Sequence, residues 1–411
     1  MARILVLGSG FAGLWAAVGA ARKLAELGIP RGQVEILVVD RNAYHGIRVR
    51  NYEPDLGNVA IPLPEVLDPI GVKHLTAEVK AIDVARQQVV VAGPRGQESS
   101  AYDRLVLALG SQLVRPPVPG LAAHGFDVDT YAAGVRLNAH IASLGARPPS
   151  QGRSTIVVVG AGFTGIEVAT EMPEKLRHAL ANGAGRVILL DPNPLVGATI
   201  GDHARPVICD ALTSLGIETR LGAKVSAIDA GAITLASGEI IPTQTVVWCG
   251  GMRANPLTTA LPGTRDALGR LAVDPFMRVD GLANVFAAGD VASSLVDGVH
   301  STVMSCQFAR PMGRFAGHNV VADLFGEPML PLRIDWYVTV LDLGGWGALY
   351  TVGWDRRVFS TGREAKAIKE MINRKRIYPP RHGTAQEILA AAAPTVQAPP
   401  QYPAAATATV A

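Results

Sequence analysis

The sequence carries the spacing GxGxxG twice, at Gly8, Gly10 and Gly13 and again at Gly160, Gly162 and Gly165, each time directly after a short apolar run. Those runs, at 4–7 and 156–159, are made of branched or long apolar residues, which suit a strand buried in a parallel sheet. The spacing has a physical cause. The first glycine permits the tight turn out of the strand, the second lets backbone approach a pyrophosphate, and the third lets the following helix pack against the strand. A diphosphate then lies at a helix N-terminus, where unpaired amides and the helix dipole favour negative charge. Helical stretches follow at 14–27 and at about 164–181, and each copy ends with an acid after the next apolar run, Asp40 in the first and Asp191 in the second. Such an acid can accept the hydroxyls of an adenosine ribose. One GxGxxG is a common glycine turn; two copies, each with strand, helix, strand and acid in order, predict an α/β chain with two Rossmann-like dinucleotide-binding domains.

With 411 residues there is room for more than these two units. The chain divides as 1–118 for the first domain, 119–265 for the second, 266–327 for a return to the first, 328–382 for a small C-terminal α+β domain and 383–411 for an alanine- and proline-rich tail expected to be disordered. A proline-rich stretch at 115–120 marks the first crossover, and the second domain ends in TVVWCGG at 245–251, which mirrors LVLALGS at 105–111. The return is NVFAAGDVA from Asn284, a strand that ends in Gly289 and Asp290. A helix to about Leu324 should follow, capped by Ser301 or Thr302 and kinked at Pro311. Residues 333–360 read as an antiparallel sheet turning at Gly344, Gly345 and Gly347, with Trp336, Tyr337, Trp346, Tyr350 and Trp354 as its core. A short basic helix over 361–376 puts Ala365, Ile368 and Ile372 on one face. His45, Arg48 and Arg50 read as solvated loop residues.

Composition removes several classes. A net charge of +3 with 18% charged residues supplies no field for nucleic acid. Cys209, Cys249 and Cys306 are too far apart for a disulfide framework or a CxxC dithiol, and Cys306 reads as a small buried thiol. The nine histidines form no HxH or HExxH group, so no metal is expected. With no cleavable leader and no apolar run of the roughly 18 residues a membrane span needs, a cytoplasmic location is expected. Attachment at the inner membrane face stays open through 363–376, as does a dimer.

Two dinucleotide folds can serve two nicotinamides, or one nicotinamide and one flavin. The second needs simpler chemistry, in which a flavin in the first fold takes hydride from NADH in the second and passes electrons on. Asp191 is followed by Pro192, Asn193 and Pro194 with no nearby Arg or Lys, which favours NADH over NADPH.

GSGFAG with Asp40, LVLALGS, GAGFTGIEVATE with Asp191, and VFAAGD together resemble the two-dinucleotide-binding flavoproteins, the family of pyridine nucleotide-disulfide reductases, ferredoxin reductases and type II NADH dehydrogenases. The resemblance runs from residue 1 to about 380. It is strongest toward type II NADH:quinone oxidoreductases, on PEVLDPI, AEVKAID, the helix with Glu167, and Gln307. It implies FAD and NADH as cofactors. The implied contacts are Gly8, Gly10, Phe11, Ala12, Gly13, Asp40, Arg41, Val79, Ala108, Leu109, Gly110, Gly289 and Asp290 around the first fold, with Gly160, Gly162, Phe163, Thr164, Gly165, Asp191 and Gly250 around the second. Glu167 and Gln307 are the implied catalytic residues, with Glu167 beside the nicotinamide and flavin; Glu171, one turn on, reads as a solvated or paired acid.

Two departures bear on the electron acceptor. Where that branch carries a pattern like AQxAxQQG, this chain reads CQFARPMG, so Gln307 is kept but Pro311 and Met312 replace a glutamine pair. The C-terminal anchor of that branch is also replaced by one short basic helix. The expected acceptor is a quinone or a similar small molecule; a ferredoxin-type reductase docking through 363–376 and a non-enzymatic FAD/NADH redox sensor are the alternatives.

Overall fold

The structure, a computed structural model, describes residues 1–181, 183 and 185–401. Its centre is a pair of five-stranded parallel sheets in which four strands share one order, while the remaining edge strand comes last in the chain in the first sheet and first in the second. The first runs Val285–Ala287, Arg104–Leu107, Ala2–Leu7, Val34–Asp40, Lys73–Thr76. The second runs Gly125–Phe126, Thr245–Trp248, Thr155–Val159, Arg186–Asp191, Glu218–Leu221. Thr155–Val159 is buried at every position, as a strand covered on both faces should be. Each fold also inserts a three-stranded antiparallel sheet before its returning strand, at 78–101 in the first and 225–242 in the second.

Helix α1 (Phe11–Glu26) and helix α2 (Phe163–Ala179) leave the two glycine loops. Both start earlier than the apolar periodicity suggests, because Gly10 and Gly162 in extended backbone already serve as N-caps. Helix α3 (Cys306–Phe325) lies against α1 at close range. Small residues make that possible, since a Cβ on Gly313 or Gly317 would stand 2.2 or 2.1 Å from the carbonyl oxygen of Ala12 or Ala16.

The cap of α3 corrects an expectation. Its N-cap is Ser305, because Thr302 is buried with its hydroxyl directed at Ser294 and Ala292, and Ser301 bridges to Leu295. The helix also runs on through Pro311. Beyond it, Val338–Asp342, Ala348–Val352 and Arg357–Thr361 form the antiparallel sheet. Helix α4 (Gly362–Met371) covers that sheet and continues as a π-helical turn over Ile372–Arg376. Of the aromatic residues assigned to this sheet, Tyr337 and Tyr350 are buried, while Trp346 packs on the core of the second fold.

The tail is not disordered where it is described. Helix α5 (Ala385–Ala391) opens with a complete capping box between Thr384 and Glu387, buries Ile388, and packs on α1. Further on, Tyr350 donates to the Pro400 carbonyl at 2.7 Å. Low complexity masked an ordinary helix signal; residues 402–411 lie outside the described part. Among the described residues no helix is long and apolar enough to cross a membrane.

Candidate functional site

The two glycine loops repeat one geometry. Gly8 (φ +98°) and Gly160 (φ +112°) sit in left-handed backbone, and a Cβ on either would meet a carbonyl oxygen, of Ala108 or Cys249, at 2.4 Å. At Gly13 and Gly165 a Cβ would stand 1.9 and 1.6 Å from the oxygen of the first glycine of the same loop. Gly10 and Gly162 have nothing within 4 Å of the same position and line a cavity. Outer glycines close the protein on itself, and the middle one leaves a space of the kind a phosphate group fills.

The two acids repeat as well. Asp40 accepts from the amides of Ser9 and Asn42, one on each oxygen, both at 2.7 Å. Asp191 accepts from Ala161 at 2.5 Å and Asn193 at 2.7 Å in the same manner. Each carboxylate therefore ties strand end to glycine loop; Asp40 keeps acceptor capacity on both oxygens, whereas Asp191 Oδ1 also accepts from the Asn193 side-chain amide at 2.7 Å and only its Oδ2 has room for a ribose.

The cavity measures about 1320 Å³ and reaches both loops. Gly8, Gly10, Phe11, Ala12, Asp40, Arg41, Val79, Ala108, Leu109, Gly110, Gly289 and Asp290 line it from the first fold, and Gly162, Phe163, Thr164 and Glu167 from the second. Gln307 lines it too, its Nε2 buried with no hydrogen-bond partner among the described residues. Gly13, Gly160, Gly165, Gly250 and Asp191 are not part of the lining. Asp191 is 6% exposed, under a loop that folds back so that Gly197 donates to the Ala161 carbonyl at 3.0 Å.

Asp290 is set in place by Ser111, whose hydroxyl donates to it at 2.6 Å, with Arg48 donating to that hydroxyl at 3.0 Å. Arg48 also pairs with Asp129. Arg50 is buried against Glu53 at 2.6 Å. His45 is wholly buried beside the Ser9 carbonyl, and burial pushes its pKa down to about 4, so it is neutral. None of the three is a solvated loop residue; isolated polar letters between turn residues gave no sign of the partners they meet.

Glu167 sits on the first turns of α2, 7% exposed. Its Oε1 accepts from Lys369 Nζ at 2.7 Å and from the Asp342 amide at 3.1 Å. Lys366 reaches Asp342 at 2.5 Å and lies 3.9 Å from Glu171. Burial raises the pKa of Glu167. Burial alone would lower that of Lys369, but the facing Glu167 carboxylate raises it. Both values move upward in a site where three carboxyls face two lysines. Glu171 is no solvated acid, since burial and Asp342 push it up to about 7. Sequence reading missed Lys369, although residues 365, 368, 369 and 372 follow the i, i+3, i+4, i+7 rule and place it on the apolar stripe of α4.

The basic helix thus turns two lysines inward. Arg376 binds the Ala398 carbonyl, which leaves Arg363, Arg374 and Lys375 facing out beside Glu364 and Glu370. Cys306 lines the cavity, with burial raising its thiol pKa. Among the described residues no group of histidine, cysteine and acid side chains could hold a metal.

Comparison with known proteins follows the same lines. The family described as pyridine nucleotide-disulphide oxidoreductase matches residues 2–313. A Mycobacterium tuberculosis protein named NADH dehydrogenase-like protein MT1860 is 55% identical over 400 residues, covering 97% of this chain and 99% of that one. Demethylphylloquinone reductase NdbB of Synechocystis is 30% identical over 356 residues, covering 84% and 86%. The solved structure of NDH2 from Plasmodium falciparum in complex with NADH superposes with a TM-score of 0.74 at 12% identity, over 95% of this chain and 97% of that chain.

Proposed function

Because the chain belongs to the pyridine nucleotide-disulphide oxidoreductase family, we propose that it is an FAD-dependent NADH dehydrogenase that delivers electrons to a quinone or a similar small two-electron acceptor. The observation that carries this reading is that two matching glycine cradles reach one cavity, with Asp40 and a buried Glu167–Lys369 pair on its wall. When bound, FAD would supply the acceptance of hydride from NADH and the release of electrons to the second substrate.

The residues of the chain divide the remaining work. The loop from Gly8 to Phe11 and the start of α1 would hold the FAD diphosphate, and Asp40 its ribose. Asp290, kept oriented by Ser111, would take a hydroxyl of the ribityl chain. Helix α3 begins at the cavity wall at Ser305 and Cys306, where its N-terminal dipole favours negative charge. Gly162 and Asp191 would hold NADH, the acid rejecting a ribose phosphate. Glu167 would position the nicotinamide through Oε2, with Lys369 Nζ and the Asp342 amide holding Oε1 in place. Gln307 Nε2 is a free donor for the flavin edge or the acceptor.

The test is a purified yellow protein titrated with NADH without oxygen. Loss of the flavin band, followed by its return on adding a quinone, is the expected result. No flavin, or no bleaching, overturns the reading, and turnover with ferredoxin but not with quinones moves the protein to the alternative class.

A further inference from the structure

Two buried cations have no part in the chemistry above. Arg310 and Arg314 lie four residues apart and so on one face of α3, 7% and 3% exposed, and both line the cavity. Their guanidinium carbons stand 5.5 and 4.5 Å from the ring centroid of Trp15. No carboxylate pairs with either among the described residues, and the Nε of each is buried without a partner. Arg310 makes one long contact, to Gln397 Oε1 at 3.4 Å. Arg376, on the same cavity, adds like charge. Burial is the main cause that pulls Arg310 down to about 10 and Arg314 to about 9, with Cys306 opposing it at Arg310 and the neighbouring arginines adding to it at both.

Burying a cation without a counterion is costly, because its hydration is lost and nothing replaces it. The face of one tryptophan offsets only part of that cost. The fold therefore leaves a positive site that an anion from outside can complete. The diphosphate cradle is a separate place, at the start of α1, whereas Trp15 stands on the second turn of that helix. On α3 the arginines share the cavity wall with Gln307 and Pro311.

We infer that Arg310 and Arg314 form an anion-binding subsite at the acceptor end of the cavity, built for the carboxylate, sulfonate or phosphate group of an anionic two-electron acceptor. This rests on the proposed function above. In the reaction, hydride from NADH and one proton from solvent convert a quinone to its quinol, and the anionic substituent is unchanged.

The experiment uses the FAD-loaded protein and a redox-inert probe, naphthalene sulfonate, with naphthalene carboxamide as the neutral control, both measured by calorimetry. Wild type should bind the sulfonate more tightly than the amide. Arg310→Gln or Arg314→Gln should weaken sulfonate binding about tenfold or more and leave the amide unchanged, and Arg314→Lys should restore part of the loss. Turnover with NADH should favour naphthoquinone sulfonate over menadione in wild type and lose that preference in both glutamine variants. Equal binding of the two probes overturns the subsite, as do glutamine variants that bind like wild type. Variants that fold but lose FAD assign the arginines to the cofactor diphosphate and also overturn it. If NADH reduces neither quinone while the sulfonate still binds through the arginines, the acceptor reading fails and the anion site stands.

Discussion

The two dinucleotide folds share the order of four strands, the glycine geometry and the tie between acid and loop, yet they present their acids differently. Asp40 opens on the cavity, while Asp191 lies under a folded loop. Helix α1 is braced by α3 through glycine contacts, whereas α2 sends Glu167 to a lysine of the C-terminal unit. A motif of six residues specifies the cradle; what the rest of the ligand meets comes from whichever distant segment packs beside it.

The sharpest way to break this contrast is to remove the distant lysine. Lys369→Met should leave Glu167 buried without a counterion and destabilise the protein by about 3–5 kcal/mol, read by denaturant unfolding. Adding Glu167→Gln to it should recover most of the loss. An undiminished single variant would mean the pair contributes nothing to holding the two units together.

Next, Glu167→Leu should slow bleaching of bound flavin by NADH about ten- to a thousandfold in anaerobic stopped-flow, with FAD retained. Wild-type rates in a folded variant would make the residue a bystander.

Asp40 and Asp191 separate the folds by ligand. Asp40→Ala should lower FAD occupancy in the purified protein, whereas Asp191→Ala should spare FAD and erase a preference for NADH over NADPH of about ten- to a hundredfold, worth about 1–3 kcal/mol. Equal use of both nucleotides by wild type would show that the acid is not read this way.

The smallest effect belongs to Glu171. Its carboxyl titrates near 7 in the folded chain against an ordinary 4.5, so between those values the folded form holds a proton that the unfolded form has released. Stability therefore falls as pH rises through that window, and the penalty is complete above it. Glu171→Gln should gain on the order of 2 kcal/mol over wild type above pH 7 and little near pH 4.5, measured by melting at both ends. A gain independent of pH would place the titration elsewhere.

How much of this was legible in the sequence follows the range of each interaction. The sheets, the loops and Asp40 and Asp191 follow from spacings within some forty residues, and all stand where the pattern puts them. Glu167 was legible because it lies a fixed few residues past a glycine. Its partner was not, since 202 residues separate the two; only the helical stripe through Ala365 and Ile368 pointed to Lys369. The burial of Asp191 depends on how a proline-rich loop folds back, and no local spacing encodes that. Arg310 and Arg314 sit in a run of small and apolar residues and were passed over, although two charges four apart on a buried helix were a sign in plain view. The helix of the tail was missed because composition was weighed there and the Thr384–Glu387 cap was not.

The separation of Glu167 from Lys369 also orders events during synthesis. A chain leaves the ribosome N-terminus first. Both nucleotide cradles have their residues outside by the time 290 has emerged, but the acid has no counterion until residue 369 follows. A polypeptide arrested between those points would carry both cradles while Glu167 still lacked Lys369, the donor that holds its Oε1 at 2.7 Å. The second fold thus reaches its full set of buried charge partners only with one of the last segments of the chain to be made.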